Sequence, residues 1–214
     1  MTRPTTIVTD LDGTLVNTMD GVIALLWERF GVALAHEDCT GYDVAEAFWA
    51  HSDKIQETFR HCTAFSGYLA RNIWDNGPFY QDLKPYWSWH QALQHAARHD
   101  IEVIMLTSRP PLPEITKATE TWCEKWGYAE LELVFSKSYE GGKLEALKGI
   151  VEERNHSPIN VWFVDDDWSI VKQVIDRFPS SITAKMPDRP WTQPQFLLQT
   201  ADSPFDCRLP KELA

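Results

Sequence analysis

The chain has 214 residues, of which 43% are hydrophobic and 24% are charged, and its formal net charge is -11. This composition is typical of one globular domain, or of a core domain with a smaller inserted one. Extended nucleic acid is bound through many Lys and Arg side chains, and the absence of a basic block argues against that function. A small phosphorylated substrate is compatible with the charge, since a bound cation reverses the local field.

The cysteines and the apolar runs indicate the compartment. Four cysteines are scattered without a CxxC pair, which argues against a zinc site or a disulfide framework. No apolar run approaches the length that spans a bilayer, and the chain reaches charged residues by Asp10, too early for the apolar region of a signal peptide. We therefore expect a cytoplasmic protein with reduced thiols that does not associate with membranes.

The N-terminal part of the sequence predicts one strand followed only by helices. Apolar runs and helical spacing place a strand at about 5–9, a helix at 18–30, aromatic-rich helix-like sequence at 42–74 and a turn at 75–78. Gly31 is expected to end the first helix. No convincing strand lies between Met19 and Pro85.

The rest of the sequence alternates strands with helices. Strands are predicted at about 101–106, 131–135, 160–164 and 182–184, and helices at 85–99, 114–126, 144–154 and from an acidic run to about 178. From Pro187 the chain is rich in proline and is expected to be irregular. This alternation predicts an α/β fold, a doubly wound parallel sheet with helices on both faces.

The long stretch after the first strand suggests an inserted unit. It is too long for an ordinary crossover connection between parallel strands, and we expect it to form a helical cap of residues 18–80 above the carboxyl end of the first strand. The α/β core would then comprise residues 1–17 and 81–190. Residues 191–214 would form a Pro-rich C-terminal tail.

Two carboxylates mark the end of the first strand. The apolar run stops at Val8, so Asp10 lies at the carboxyl end of the strand and Asp12 lies in the turn beyond it. Ligands bind at this edge of open α/β sheets. Carboxylates this close repel each other unless a cation or a shared proton relieves the repulsion, and Mg2+ accepts carboxylate oxygens together with substrate phosphate. The motif therefore predicts a metal and phosphate site, with an ordinary Asp-Gly turn as the alternative.

Three later segments are predicted at the same edge of the sheet. They are Thr107-Ser108-Arg109 after the second strand, Lys143 at a helix start, and Asp165-Asp166-Asp167 after the fourth strand. Each has another explanation, since Thr107 can close a turn and the acidic run can cap a helix, Asp167 most of all. Lys137 and Lys148 are alternatives to Lys143 as the cation of this site. Lys143 is favoured because two glycines precede it and because a helix start attracts anions.

These motifs, in this order, resemble those of the haloacid dehalogenase-like (HAD) hydrolase superfamily over about residues 5–180. The resemblance implies a Rossmann-like core, a Mg2+ cofactor, and hydrolysis of a phosphomonoester through an aspartyl-phosphate. Asp10 would be the nucleophile, Asp12 the general acid and base, and Lys143 the fixed cation. Thr107 would bind a phosphate oxygen, with Ser108 as the alternative. The implied metal site comprises Asp10, Asp12 through its backbone carbonyl, Asp165 and Asp166.

Part of the sequence resembles 5'(3')-deoxyribonucleotidases within this superfamily. The resemblance rests on the position of the cap and on segments 79–85 and 122–127, and it implies nucleoside 5'- or 3'-monophosphates as substrates. The expected substrate-binding residues are Gly13, Thr14, Ser108, Arg109, Phe48 and Trp49. Phe48 and Trp49, together with Trp74, are candidate platforms for a stacked nucleobase. Packing inside the cap is the alternative for each of these aromatic residues.

Two other functions stay open on the sequence alone. A phosphatase of sugar phosphates or other small esters would share the core and differ only in the cap. A non-enzymatic phosphate-binding or signalling module is the alternative of another class, because receiver domains also combine Asp pairs, Thr and Lys on a doubly wound sheet. Their acidic residues follow a different order along the chain, and they lack a cap.

Overall fold

A five-stranded parallel sheet lies at the centre of the described part of the chain, which in this computed structural model comprises residues 5–39, 41, 43–136, 142–154, 161–179 and 181–192. The strands are β1 (Thr6–Thr9), β2 (Glu102–Thr107), β3 (Glu132–Phe135), β4 (Val161–Val164) and β5 (Ile182–Lys185). Their order is β3-β2-β1-β4-β5, with parallel neighbours throughout. From the central β1 the chain first forms one side of the sheet with β2 and β3, and then the other side with β4 and β5. This reversal of direction leaves a crevice at the carboxyl ends of the strands.

Helices pack on both faces of the sheet. They are α6 (Trp87–Ala97) and α7 (Pro113–Lys125) on one face, and α8 (Gly142–Glu153) and α9 (Trp168–Arg177) on the other. Successive side chains of a strand point to opposite faces, so Ile7 packs with the first pair of helices and Val8 with the second. Strands buried on both faces have continuous apolar sequences. The predicted α/β class with a doubly wound parallel sheet is confirmed.

Between Thr18 and Gln81 the described residues form helices and turns without a strand. The elements are α1 (Thr18–Phe30), a 3-10 turn (His36–Asp38), α2 (Val44–His51), α3 (Asp53–Thr58), α4 (Cys62–Leu69), a π-helical turn (Ala70–Trp74) and α5 (Gly77–Gln81). The helix-like sequence at 42–74 is broken because Ser52 ends α2 and caps α3, its Oγ accepting the Ile55 N–H at 3.3 Å. These helices form their own core cluster. Their assignment as a cap stays a prediction.

α1 begins and ends as predicted, and Gly31 follows it with a φ of 60°. Two other helices begin at positions that differ from the predicted ones, and both differences bear on the site. α6 begins at Trp87 rather than Pro85, because Pro85 pairs with Val16 in an isolated bridge beside the first motif. α8 begins at Gly142, before the predicted start at residue 144, so Lys143 lies in the first turn of the helix.

The segment after β5 is irregular, as predicted, but part of it is buried. Residues 187–192 form turns rather than a helix or a strand, as expected for a proline-rich sequence. However, Arg189 and Trp191 are only 8% and 4% exposed. Arg189 belongs to the predicted core, but Trp191 and the fully buried Thr192 are the first residues of the predicted tail, and both are packed into the protein. Residues 193–214 lie outside the described part of the chain.

The described residues also bear on membrane-spanning helices and on the cysteines. None of their helices combines the length and the apolar character needed to cross a membrane. Cys39, Cys62 and Cys123 are free thiols, while Cys207 lies outside the described residues. Burial raises the pKa of Cys39 and Cys123 to about 11, which keeps both thiols protonated at neutral pH.

Candidate active site

The carboxyl ends of β1, β2 and β4 and the first turn of α8 border a cavity of about 550 Å3. The α/β core contributes most of its charged lining, namely Asp10, Asp12, Arg109, Lys143, Asp166 and Asp167, together with Gly13 and Ser108. The helical segment contributes a mostly apolar lining that includes Met19, Val22, Val44, Ala45, Leu69 and Trp74. The four sequence segments expected at one edge of the sheet are therefore brought together around this cavity.

Three buried carboxylates converge where β1 and β4 end. One oxygen each from Asp10, Asp165 and Asp166 lies within 4.8 Å of the others. Lys143 places its Nζ 2.7 Å from Asp10 Oδ1 and 2.7 Å from Asp165 Oδ2. The strand register produces this arrangement, because Thr9 is aligned with Val164 and an aspartate follows each of them.

The cluster carries more negative than positive charge. Burial raises the pKa of Asp10 well above its usual value, and the neighbouring carboxylates raise it further against the opposing effect of Lys143. Burial and the adjacent Asp165 raise the pKa of Asp166 to about 7. Burial alone would lower the pKa of Lys143, but Asp10 and Asp165 raise it, so the amine is charged. A divalent cation would relieve the repulsion among the acids.

The donor atoms fit a hard divalent cation. All of them are carboxylate oxygens, which Mg2+ prefers, and the adjoining cavity has room for water and a phosphate group. Asp10, Asp165 and Asp166 are the residues that would hold the ion. The carboxylate of Asp12 lies outside this group, so only the backbone carbonyl predicted from the sequence could add to it.

We predict that divalent-cation binding strengthens as the pH rises. Because the pKa of Asp166 is about 7, the ion must displace a proton below that pH and finds a free carboxylate above it. The affinity for Mn2+ measured by calorimetry should increase about tenfold between about pH 6 and about pH 8. In Asp166→Asn this increase should shrink, and equal affinities of the unmodified protein at both pH values would contradict the prediction.

Arg109 holds Asp12 in a two-point ion pair. Its Nε and Nη2 donate to Asp12 Oδ2 and Oδ1, each at 2.8 Å, and Thr18 Oγ1 donates to Oδ1 at 2.7 Å. Burial would raise the pKa of Asp12, but the guanidinium and these hydrogen bonds lower it, so the carboxyl group is ionised. The guanidinium also donates to Thr119 at 3.0 Å and lies 3.9 Å over the Tyr80 ring. Arg109, predicted to bind substrate, contacts Asp12 in this conformation.

The two hydroxyls after β2 differ in their surroundings. Thr107 is 1% exposed, and its hydroxyl accepts the backbone N–H of Arg109 at 3.2 Å, as in the turn considered from the sequence. Ser108 is exposed and lines the cavity, with its Oγ 3.3 Å from Ser136 Oγ. Of the two hydroxyls proposed to bind a phosphate oxygen, Ser108 is the one that faces the cavity.

Gly13 and Thr14 form a turn against which Asp166 packs. Gly13 lines the cavity with a φ of 75°, and a Cβ at this position would lie 2.2 Å from Asp166 Oδ2. Thr14 is fully buried, and its Oγ1 donates to Asp166 Oδ1 at 3.3 Å. Thr14, predicted to bind substrate, therefore contacts a candidate metal ligand instead, since burial keeps its side chain away from the cavity.

The aromatic platforms predicted on α2 lie outside the cavity. Phe48 is fully buried in the core cluster of the helical segment. Trp49 packs against the same cluster, and its Nε1 donates to a backbone carbonyl there at 3.4 Å. Both predictions are corrected, because these rings pack inside the helical segment rather than face a ligand. The aromatic residues that do line the cavity are Trp74, Tyr80 and Trp191.

The alternatives considered for the cation and the acids have distinct positions. Lys148 lies 3.7 Å from Glu152 with a side chain that is 43% exposed, whereas Lys143 is 8% exposed inside the cluster. Lys137 lies outside the described residues. Asp167 accepts the Ser169 N–H at 2.8 Å and caps α9, as considered from the sequence.

Sequence analysis did not identify two residues that contact the site. Trp191 donates from its Nε1 to Asp166 Oδ2 at 2.8 Å, and Arg189 donates to the carbonyl oxygens of Gly13 and Thr14 at 3.3 and 3.2 Å. Both belong to the proline-rich stretch, which has no periodicity and no motif. An aromatic and a basic residue in an otherwise irregular segment were the only signal available.

Comparison with known proteins bears on the fold. The sequence matches no protein-family model and no curated protein. A candidate phosphoglycolate phosphatase from Lactobacillus delbrueckii subsp. bulgaricus aligns with a TM-score of 0.63 at 12% identity, over 99% of this chain and 96% of that one. A candidate haloacid dehalogenase-like hydrolase from Burkholderia xenovorans LB400 aligns with a TM-score of 0.57 at 14% identity, over 98% of this chain and 96% of that one. Protein tyrosine kinase A from Mycobacterium tuberculosis aligns with a TM-score of 0.53 at 14% identity, over 87% of this chain and 84% of that one.

These similarities concern architecture rather than reaction. The three proteins carry the names of different activities, which illustrates that one fold supports several chemistries. The alignments with the first two proteins cover nearly the whole of this chain, including the helical segment that follows β1. The chain therefore has the fold of the haloacid dehalogenase-like hydrolases.

Proposed function

We propose that this protein is a Mg2+-dependent phosphomonoester hydrolase with Asp10 as its nucleophile. The observation that carries the proposal is the buried cluster in which Lys143 bridges Asp10 and Asp165 beside the cavity. A phosphate group entering the cavity would meet a carboxylate, a fixed ammonium and a donor set suited to a cation, which phosphoryl transfer requires. The fold shared with a candidate phosphatase supports the proposal.

The proposed reaction proceeds by two displacements at phosphorus. An oxygen of Asp10 attacks phosphorus and forms an aspartyl-phosphate, while the bond to the leaving oxygen breaks and that oxygen takes a proton. Water then attacks phosphorus, transfers a proton to a base, and releases phosphate and the free carboxylate. Lys143 stabilises the negative charge on the phosphoryl oxygens in both steps, and Mg2+, when bound, supplies further positive charge there.

Asp12 is the proposed proton carrier, and Arg109 determines its starting state. The two-point ion pair keeps Asp12 ionised, so it is ready to accept a proton from the attacking water. Donation of a proton to the leaving oxygen requires Asp12 to leave Arg109 and to take up a proton, either from solvent or from the monoanion of the incoming phosphate ester. We propose that Asp12 exchanges this guanidinium for the leaving oxygen when substrate fills the cavity.

We propose nucleoside monophosphates as the substrate class. The cavity of about 550 Å3 has the usual size of a small-molecule site, and its aromatic lining suits a flat, neutral group. Among the described lining residues the cations are Lys143 and Arg109, and both are paired with carboxylates. A second anionic group, such as the carboxylate of phosphoglycolate, would have to compete with Asp12 for Arg109, whereas a neutral base would not. Phosphates of uncharged sugars are the alternative substrate class.

A panel of phosphate esters tests the reaction and the substrate class separately. With Mg2+ we expect hydrolysis of p-nitrophenyl phosphate and of a nucleoside monophosphate, and loss of both activities with EDTA. The kcat/KM for the nucleotide should exceed that for glucose 6-phosphate or phosphoglycolate by about tenfold or more. A preference for glucose 6-phosphate would change the proposed substrate class to sugar phosphates, while the proposed phosphatase reaction would stand. Phosphate binding without turnover of any ester would indicate a binding module instead.

Trp74 and Trp49 form a matched pair for the same test. Trp74 lines the cavity and Trp49 does not, although both belong to the helical segment. Trp74→Leu should lower kcat/KM for the nucleotide by about tenfold, since stacking on a base contributes about 1–3 kcal/mol. Turnover of p-nitrophenyl phosphate should fall less, and Trp49→Leu should affect both substrates little. Equal effects of the two variants would argue against stacking on Trp74.

A further inference from the structure

Trp191 reaches the acidic cluster from the end of the described chain. It is 4% exposed, and its Nε1 donates to Asp166 Oδ2 at 2.8 Å. The other atoms of its ring pack with the core cluster of the helical segment. An indole N–H is a donor only, so this contact fixes one orientation of the Asp166 carboxylate.

Arg189 holds the turn on which Asp166 rests. Its Nε and Nη2 donate to the carbonyl oxygens of Gly13 and Thr14 at 3.3 and 3.2 Å, and its guanidinium lies 3.6 Å over the Tyr86 ring. Thr192 closes the segment, because its hydroxyl accepts the Arg189 backbone N–H at 2.9 Å and donates to a nearby carbonyl. Trp191 is therefore anchored on both sides by buried contacts.

The partners of Asp166 differ in charge from those of the other two acids. Asp10 and Asp165 both contact the charged Lys143, each at 2.7 Å. Asp166 instead accepts hydrogen bonds from two neutral donors, the Trp191 indole at Oδ2 and the Thr14 hydroxyl at Oδ1. A neutral donor orients a carboxylate without cancelling its charge. Asp166 thus combines a fixed orientation with hydrogen-bond partners that are both neutral.

We propose that Trp191 is a positioning residue for the divalent-cation site, and that its indole N–H orients Asp166 and so determines the affinity for the ion. Hydrogen bonds to metal-binding side chains of this kind change metal affinity by about 10- to 100-fold when they are removed. The inference rests on the cation site of the proposed function, but it depends neither on the phosphatase reaction nor on the substrate.

Trp191→Phe removes the N–H and keeps an aromatic side chain. Mn2+ is a suitable probe because electron paramagnetic resonance measures the free ion directly, without turnover. We expect the Kd for Mn2+ to rise about tenfold in this variant. Trp122→Phe is the matched control, since its buried indole donates to the Leu83 carbonyl at 2.8 Å in a different core cluster. Its Kd should stay within about twofold of the unmodified protein.

A double-mutant cycle separates orientation of Asp166 from general packing. In the Asp166→Ala background, Trp191→Phe should cause no further change in Kd, because the acceptor of its N–H is already lost. Thermal unfolding in EDTA identifies any variant that is not folded. An unchanged Kd in folded Trp191→Phe, or an equal rise in the Asp166→Ala background, would overturn the proposal, as would an unmodified protein that binds no Mn2+. Mn2+ binding without any phosphatase activity would leave it intact.

The unmodified protein offers a second readout if Trp191→Phe does not fold. On addition of Mg2+, the indole N–H resonance of Trp191 should shift, since its acceptor would become a metal ligand. The resonance of Trp122 should stay in place, since its acceptor is the remote Leu83 carbonyl. A Trp191 resonance that does not respond to saturating Mg2+ would overturn the proposal.

Discussion

Replacing Asp10 with Asn is expected to abolish phosphatase activity, lowering kcat by about a thousandfold or more. The amide is a poor nucleophile and cannot form the acyl-phosphate, while its similar size preserves the packing at a position that is 4% exposed. The loss should be the same for esters with good and poor leaving groups, because the attacking group itself is removed. Hydrolysis of p-nitrophenyl phosphate and of a nucleoside monophosphate at saturating Mg2+ measures the effect.

Asp167→Asn is the matched control for this prediction. Asp167 also lines the cavity, and it caps α9 by accepting the Ser169 N–H at 2.8 Å, which the Asn side chain can also do. This variant should retain most of its activity, which would separate the nucleophile from the general loss of one negative charge. Full activity in Asp10→Asn would remove Asp10 as the nucleophile and with it the proposed mechanism.

Replacing Lys143 with Met is expected to cause the second-largest loss, about a hundredfold or more in kcat. Met keeps much of the length and packing of the side chain but removes the charge that lies 2.7 Å from both Asp10 and Asp165. The phosphoryl oxygens lose a fixed cation, and the two carboxylates lose the group that separates their charges. The variant should also unfold at a lower temperature, because unpaired buried charges are destabilising.

Lys148→Met is the matched control on the same helix. Its side chain is 43% exposed and lies 3.7 Å from Glu152, outside the cluster. We expect nearly unchanged kcat and melting temperature in this variant, since surface ion pairs contribute little. Rates are compared below the melting temperature of Lys143→Met, so that unfolding does not contribute. Equal small losses in Lys143→Met and Lys148→Met would reject the role of Lys143.

The strands and the residues at their ends could be predicted from the sequence. Val161–Val164 is buried on both faces of the sheet, so it has a continuous apolar sequence that stops where Asp165 begins. Parallel strands bring their carboxyl ends to one edge, and this rule alone predicts that residues following β1, β2 and β4 meet. The group of Asp10, Asp165 and Asp166 and the ion pair of Arg109 with Asp12 are consistent with that prediction, although the catalytic roles stay proposals.

Contacts between distant residues could not be predicted. Nothing in the sequence indicates that Arg109 pairs with Asp12, which lies 97 positions away, rather than facing a ligand. Trp191 follows a proline-rich turn without periodicity, so neither its burial nor its contact with Asp166 could be anticipated. Phe48 belongs to an α2 helix of only 8 residues, in which spacing does not distinguish a core face from a cavity face.

The covalent intermediate provides the most direct test of the proposed reaction. Rapid quenching of the protein during turnover of a phosphate ester, followed by borohydride reduction, converts an aspartyl-phosphate to homoserine, which peptide mass spectrometry locates. We predict homoserine at position 10, formed only with substrate present and absent from Asp10→Asn. Homoserine at another position, or steady turnover without any reduced peptide, would contradict the assignment of Asp10 as the nucleophile.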